Sequence, residues 1–339
     1  MVTTLTQQQP TNDPTSLSEF HLIDRLFARR TRKGQRDDVS LGIGDDAAVT
    51  RLLPDSFGDA DLVTATDVLL EGTHFLADAP PRSVGHRCLA VNLSDIAAMG
   101  ATPLWANMAL SLPEVNDQWL DEFADGFFAL ADACGVELIG GDTVRGPLSI
   151  AVTVQGRVPH GTAVLRSGAA TGDLLYVTGE PGAAAAGRLL LNDANRETKT
   201  TRSLTDKFLY PEPRLKVGNE LRLLASAIID VSDGLHADLK HLLGASAKGA
   251  LLDIDELHLH ANIKESFTHA QAVELALCGG EDYELLFAVP PQHVARIHEL
   301  AEGWSCRLSC IGVITDGDKA EWLQNGVLYA VPASGYQHF

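Results

Sequence analysis

The sequence is poor in the patterns that announce most chemistries. Its five cysteines (Cys88, Cys134, Cys278, Cys306 and Cys310) are odd in number and widely spread, with no C-x-x-C pair. That excludes a disulfide framework and points to reduced, buried thiols in a cytoplasmic setting. Cys306 and Cys310 stand four apart, but no further Cys or His nearby completes a zinc pattern. The twelve histidines contain no H-E-x-x-H. No apolar run approaches the roughly 18–20 residues that span a bilayer, and the N-terminus shows no signal-peptide core. Positive charge is scarce as well, with 26 Lys and Arg against 45 Asp and Glu, a formal net charge of -19. Such a field repels nucleic acid and anionic lipid, so neither is expected as a partner.

What is present is enough apolar residue to build a large core, 45% of 339 positions. The length suggests about two domains. Residues 1–18, rich in Thr, Gln and Pro, read as a disordered leader. Strand-like and helix-like segments then alternate, the pattern of an α/β or α+β chain. Asp61 to Thr66 reads as a strand ending at Asp67, and Val84 to Met99 as a helix buried on most faces. Trp119 to Cys134 is an amphipathic helix, with Leu120, Phe123, Phe127, Leu130 and Cys134 at steps of three and four. Val136 to Ile139 and Leu148 to Val158 read as strands flanking a Gly-Gly-Asp turn. In the second half, strands are expected at 174–178, 227–231 and 284–289, and helices at 179–191, 235–243 and 294–302. The stretch from His160 to Thr171 reads as a linker between domains at 19–160 and 170–339.

Six motifs place acids beside glycines or at strand ends. Gly42-Ile-Gly-Asp-Asp-Ala-Ala imitates a dinucleotide-binding turn, but Asp45 and Asp46 would repel a pyrophosphate laid on that backbone. A cation must intervene if phosphate binds there. Thr64-Ala-Thr-Asp67 is followed by Glu71-Gly-Thr-His74-Phe. Asn92-Leu-Ser-Asp95 lies in a helix of small and apolar residues, where an unpartnered carboxylate is costly. Gly140-Gly141-Asp142-Thr143, Asp230-Val-Ser232-Asp233-Gly, and Gly279-Gly-Glu281-Asp-Tyr-Glu complete the set. Each alone reads as an ordinary turn, since Gly and Asp are common turn residues. Their recurrence in both halves carries the information. Gly182 to Gly187 has the glycine spacing of a phosphate-binding P-loop, yet Arg188 and Leu189 replace its Lys and Ser/Thr. A small-residue helix packed closely on a sheet is the better account.

Aspartates without a basic loop suggest phosphates held through hard cations such as Mg²⁺, which take oxygen ligands. An acceptor that is itself a phosphate ester, with a second pKa near ~6, is already ionised and needs no general base. It needs its repulsion from the donor cancelled and an in-line approach. No catalytic side chain is therefore expected.

These motifs, with Arg166-Ser-Gly and Ser232-Asp-Gly-Leu, in this order, closely resemble the thiamine-monophosphate kinase family of the aminoimidazole ribonucleotide synthetase-like superfamily. The likeness covers residues 19–339. It implies a two-domain fold, a homodimer formed through N-terminal sheets, and ATP-dependent conversion of thiamine monophosphate to thiamine diphosphate. It further implies that Asp46, Thr66, Asp67, Asp95, Asp142, Asp230 and Asp233 bind several magnesium ions. Gly141, Asp142, Arg166 and Ser232 would contact ATP; His74, Glu281 and Tyr336 would contact thiamine monophosphate. Ala65 departs from the Ser that the family often carries before Thr66-Asp67. Within the superfamily, aminoimidazole ribonucleotide synthetase itself is the nearest alternative.

Overall fold

A computed structural model describes residues 24–31, 39–41, 49–50, 60–191 and 198–332. The Gly42 to Ala48 motif with Asp46, the leader at 1–18, and Tyr336 lie outside these residues.

Among the described residues the first half is built on a four-stranded sheet in the order β3-β6-β4-β5. Its strands are β3 (Ala60–Leu70), β4 (Thr102–Leu112), β5 (Glu137–Arg145) and β6 (Ser149–Pro159). A short ladder of β1 (Val39–Leu41) and β2 (Val49–Thr50) precedes it. Strict alternation along β3 and β6 gives the sheet one covered and one open face. Helix α1 (Pro81–Ala98) and helix α2 (Asp117–Cys134) cover the first. Helix α1 begins with Pro at its first position and is buried almost all round, as its run of small apolar residues requires. Helix α2 is fixed at both ends: Asn116 accepts a hydrogen bond from Trp119 N, and Gly135 closes it in the left-handed region. The two helices touch backbone to backbone. A Cβ on Gly85 would lie 1.9 Å from Phe123 O, and one on Gly126 1.9 Å from Arg82 O.

The second half holds a seven-stranded sheet, β13-β12-β9-β11-β7-β10-β8. These strands are β7 (Leu174–Thr178), β8 (Ala227–Val231), β9 (Gly249–Asp253), β10 (Glu284–Val289), β11 (Leu308–Thr315), β12 (Ala320–Gln324) and β13 (Val327–Tyr329). Pairing is antiparallel except between β9 and β12. Helices α3 (Ala183–Leu191), α4 (Lys199–Leu209), α5 (Leu215–Leu221), α6 (Leu235–Ser246), α7 (His269–Cys278) and α8 (Val294–Ala301) pack around it.

Two local expectations are corrected. Asp67 does not end its strand: β3 continues to Leu70, because Val68, Leu69 and Leu70 keep the alternation and pair with Ala151, Ile150 and Ser149. Gly140-Gly141-Asp142 is no turn, since β5 runs through it, parallel to β4. Glycine is tolerated there for a steric reason: a Cβ at Gly141 would sit 1.8 Å from Met108 O of the neighbouring strand.

Candidate phosphoryl-transfer site

Three buried or half-buried aspartates from different elements meet where the two sheets approach. Asp67 stands on the covered face of β3. That strand is a sheet edge, and its outward Asp67 N–H donates to Asn92 Oδ1 of α1 at 3.0 Å. Asn92 is oriented in turn, because its Nδ2 donates to Cys88 O. One turn further along α1, Asp95 faces the same space. Asp230 lies in buried β8 and accepts a hydrogen bond from Ser94 Oγ at 2.8 Å.

The three carboxylates disturb one another. Burial, then the charges of Asp230 and Asp67, push the Asp95 carboxyl up to about 8, with Arg166 opposing. Burial also raises Asp230 to about 6, against the pull of Ser94 and Arg166. Asp67 is raised by burial. Arg166 is thus the cation that this cluster feels.

Beyond β8 the chain turns through Ser232-Asp233-Gly234 into α6. Asp238, in the first turn of that helix, reaches back and accepts from both Ser232 N and Asp233 N, each at 3.0 Å. Burial, with Asp230 and Asp233 adding to it, lifts Asp238 to about 7. The Gly279–Tyr283 turn lies alongside: Glu281 N donates to Ser232 O at 2.7 Å, and Tyr283 N to Val231 O at 2.8 Å.

Asp67, Asp95, Asp230, Arg166, Ser232, Asp233 and Glu281 are thereby brought into one region. Thr66 and Asp142 are not in the carboxylate cluster. Thr66 points to the open face, bonded to Thr153 Oγ1 at 2.9 Å. Strand register puts Asp142 in line with Ala109, Ala151 and Val68 on that same face, beside Gly141. His74 is engaged by its own turn, its Nδ1 accepting from Leu70 N at 3.0 Å.

Some participants gave little sign in the sequence. Asn92 and Ser94 sit inside the Asn92–Gly100 motif, and their polarity on an apolar helix was the available signal. Asp238 looks like any acid favoured by a helix N-terminus. Arg87, buried on α1, pairs with Glu281. Like Arg82 on the same helix, it reads from sequence as a solvated charge until its burial is known.

The P-loop-like stretch is settled by geometry. The start of α3 is already occupied, because Asp282 accepts from Gly182 N at 2.7 Å and Ala184 N at 3.1 Å. A carboxylate holds the place where a phosphate would bind.

Whether magnesium suits this site can be judged from the donors. Among the described residues, no three His, Cys, Asp or Glu side chains converge closely enough to enclose a metal alone. Magnesium does not ask for such a cage, taking one or two carboxylates with water and phosphate oxygens. Asp67, Asp95 and Asp230 are hard oxygen donors left in mutual repulsion, and they fit that demand.

The family models agree with the two halves. "AIR synthase related protein, N-terminal domain" matches residues 44–158, and "AIR synthase related protein, C-terminal domain" matches residues 170–322. A thiamine-monophosphate kinase of Salmonella typhimurium is 42% identical over 324 residues, covering 95% of this chain and 98% of the relative. The crystal structure of a thiamine-monophosphate kinase from Stenotrophomonas maltophilia K279a superposes with a TM-score of 0.82 at 42% identity, covering 91% of this chain and 97% of the other. AaThiL complexed with AMPPCP and TMP gives a TM-score of 0.72 at 30% identity, with 95% and 97% covered. With both family models matched and 42% identity over nearly its whole length, the chain belongs to the thiamine-monophosphate kinase family of AIR-synthase-related enzymes.

Proposed function

We propose that the chain transfers the γ-phosphoryl group of ATP to thiamine monophosphate, giving ADP and thiamine diphosphate. One observation carries the reading. Asp67, Asp95 and Asp230 gather from both halves with Arg166 as the cation they feel, so the site is built to be completed by other cations and their phosphate ligands. The complex of AaThiL, 30% identical to this chain, with AMPPCP and TMP supports this reading.

An oxygen of the acceptor phosphate, ionised at neutral pH, attacks the γ-phosphorus in line. The bond to the bridging oxygen breaks and ADP leaves with that electron pair. No proton must be removed, so no general base is assigned. The side chains of Thr66 and Asp142 turn to the open face, so Asp67, Asp95 and Asp230 would hold magnesium, with Asp46 and Asp233 as further ligands. Bound there, it supplies positive charge between two phosphates that otherwise repel. Arg166, Ser232, Gly141 and Asp142 bind ATP; His74, Glu281 and Tyr336 bind thiamine monophosphate. The turn formed by Ser232 and Asp233 is held rigid by Asp238, which fixes its backbone before substrate arrives.

The chain works as a homodimer through the open face of its first sheet, where Leu62, Val68, Leu70 and Val144 are all exposed. Residues 19–160 supply that face and much of the metal site, and residues 170–339 the rest. A cytoplasmic placement suits cysteines that form no disulfide among the described residues. No described helix is long and apolar enough to cross a membrane.

The deciding experiment follows products from ATP, Mg²⁺ and thiamine monophosphate. ADP and thiamine diphosphate should appear in equal amounts, with free thiamine inert. Release of inorganic phosphate without thiamine diphosphate, or productive use of formylglycinamidine ribonucleotide, would assign the chain elsewhere in the superfamily.

A further inference from the structure

We propose that Arg87, with Tyr283, is a positioning residue for the acceptor substrate, acting through Glu281. The inference rests on the kinase reading above and concerns how that site would recognise the amino group of the substrate's pyrimidine ring.

Arg87 belongs to α1 and is 2% exposed. Its Nη1 donates to Phe208 O at the end of α4, and its guanidinium lies 4.2 Å from the centre of the Phe208 ring and 5.6 Å from that of Tyr283. Its Nη2 donates to Glu281 Oε2. Tyr283 also donates to that same oxygen, from its hydroxyl at 2.9 Å. Both locking bonds therefore fall on Oε2. The other carboxylate oxygen, Oε1, has no partner among the described residues, and the Glu281 side chain remains 19% exposed.

The backbone beneath is under tension. Glu281 and Tyr283 both take left-handed conformations, with φ of 67° and 51°, next to Gly280 at 67°. Non-glycine residues are disfavoured in that region, so the surroundings must over-determine it. Two backbone bonds to the Ser232 turn and the Arg87 ion pair from the other sheet's helix do so. The ion pair leaves one oxygen of Glu281 open on the turn that borders Ser232. Tyr283 feels the aspartate cluster directly, since Asp67 as well as Glu281 opposes ionisation of its buried hydroxyl.

The arrangement yields a carboxylate with one oxygen fixed and the other presented. That oxygen accepts a hydrogen bond from an N–H donor. On thiamine monophosphate the suitable donor is the ring amino group. A lysine at position 87 keeps the charge but cannot reach Phe208 O and Glu281 together with a planar fork. Loss of the Tyr283 hydroxyl leaves the ion pair but loosens the carboxylate.

The test measures steady-state kinetics of Arg87→Lys and Tyr283→Phe with thiamine monophosphate, and with an analogue carrying an oxo group in place of the amino group. The wild type should prefer the natural substrate by about tenfold or more in kcat/KM, the worth of one such hydrogen bond. Both variants should raise KM for thiamine monophosphate by about tenfold, keep KM for ATP within about twofold, and lose the preference against the analogue. In a Glu281→Gln background neither change should add a further effect. Wild-type enzyme that makes thiamine diphosphate, with variants that retain both KM and preference, would overturn the role of Arg87. Equal loss toward ATP and acceptor, or additive effects with Glu281→Gln, would make the pair structural only. Tyr283→Phe removes one oxygen atom and carries the same expectation if Arg87→Lys fails to fold. A wild type that makes no thiamine diphosphate would instead remove the kinase reading itself.

Discussion

Asp95 is held in a conflict that its neighbours create, and pH exposes it. The carboxyls of Asp95 and Asp230 titrate near 8 and near 6 in the native state, against 3.8 for the ordinary side chain. The native state thus binds these protons more tightly than the unfolded chain. The stability this contributes is complete below about 3.8 and is lost as pH rises through about 6 and then about 8. With chelator present, the melting temperature should fall across that interval, and Asp95→Asn should flatten the upper part of the fall. A melting temperature that rose instead would contradict the account. Magnesium with nucleotide should restore what is lost, because cations favour the ionised carboxylates. Asp95→Asn and Asp46→Asn should abolish turnover while keeping a native circular dichroism spectrum; unfolding of both would favour a structural role. Asp238→Ala removes the acceptor of two backbone N–H groups, and urea titration should show a cost of about 1–3 kcal/mol. At this scale the sequence points to Asp67, Asp95, Asp230 and Asp233 through the recurrence of acids beside glycines and at strand ends. It conceals Asp238 and Arg87, since a charged residue on a helix reads as solvated until burial is known. Thr66 and Asp67 show a second limit. Adjacent residues on a strand face opposite ways, so only one of them can join the carboxylates by its side chain.

Among the elements, α1 carries the most. It presents Asn92, Ser94 and Asp95 to the site, Arg87 to the Glu281 turn, and bare backbone to α2. Gly85→Ala should therefore destabilise by about 1–3 kcal/mol, because a methyl group 1.9 Å from Phe123 O forces the helices apart. Chemical denaturation measures this, and activity should fall with it as Asp95 shifts from Asp67. An unchanged midpoint would show that the crossing relaxes without strain. The periodicity of α2 was plain in the sequence, as were the small-residue run of α1 and the apolar runs of β7, β8 and β10. Less was visible in α4, whose Lys-Thr-Thr-Arg start is polar and which buries Thr201, Leu204, Phe208 and Leu209. Strands β9, β12 and β13 were likewise unannounced, since strands of three to five residues leave too short an alternation to count. Strand β5 misled for the opposite reason. Its paired glycines look like a turn, and only the backbone of β4 explains them.

For the molecule as a whole, the proposed dimer turns on the open sheet face. Exposed Leu62, Val68 and Leu70 alternate along β3, a row that water disfavours. Val68→Lys with Leu70→Asp should convert a dimer to a monomer in sedimentation velocity; a wild type that sediments as a monomer would refute the pairing. The way the halves join has a further consequence. Leu89, Leu93 and Ile96 of α1 lie in the first core, while Ala97 and Ala98 pack with Tyr176, Ile228 and Phe287 of the second. A Cβ on Gly218 of α5 would reach within 2.0 Å of Ala97 O, so the helix is gripped from both sides. The expected linker from His160 to Thr171 then divides the sequence and not the cooperativity. Neither half can melt without uncovering the other's core, and calorimetry should record one transition where two independent modules would give two.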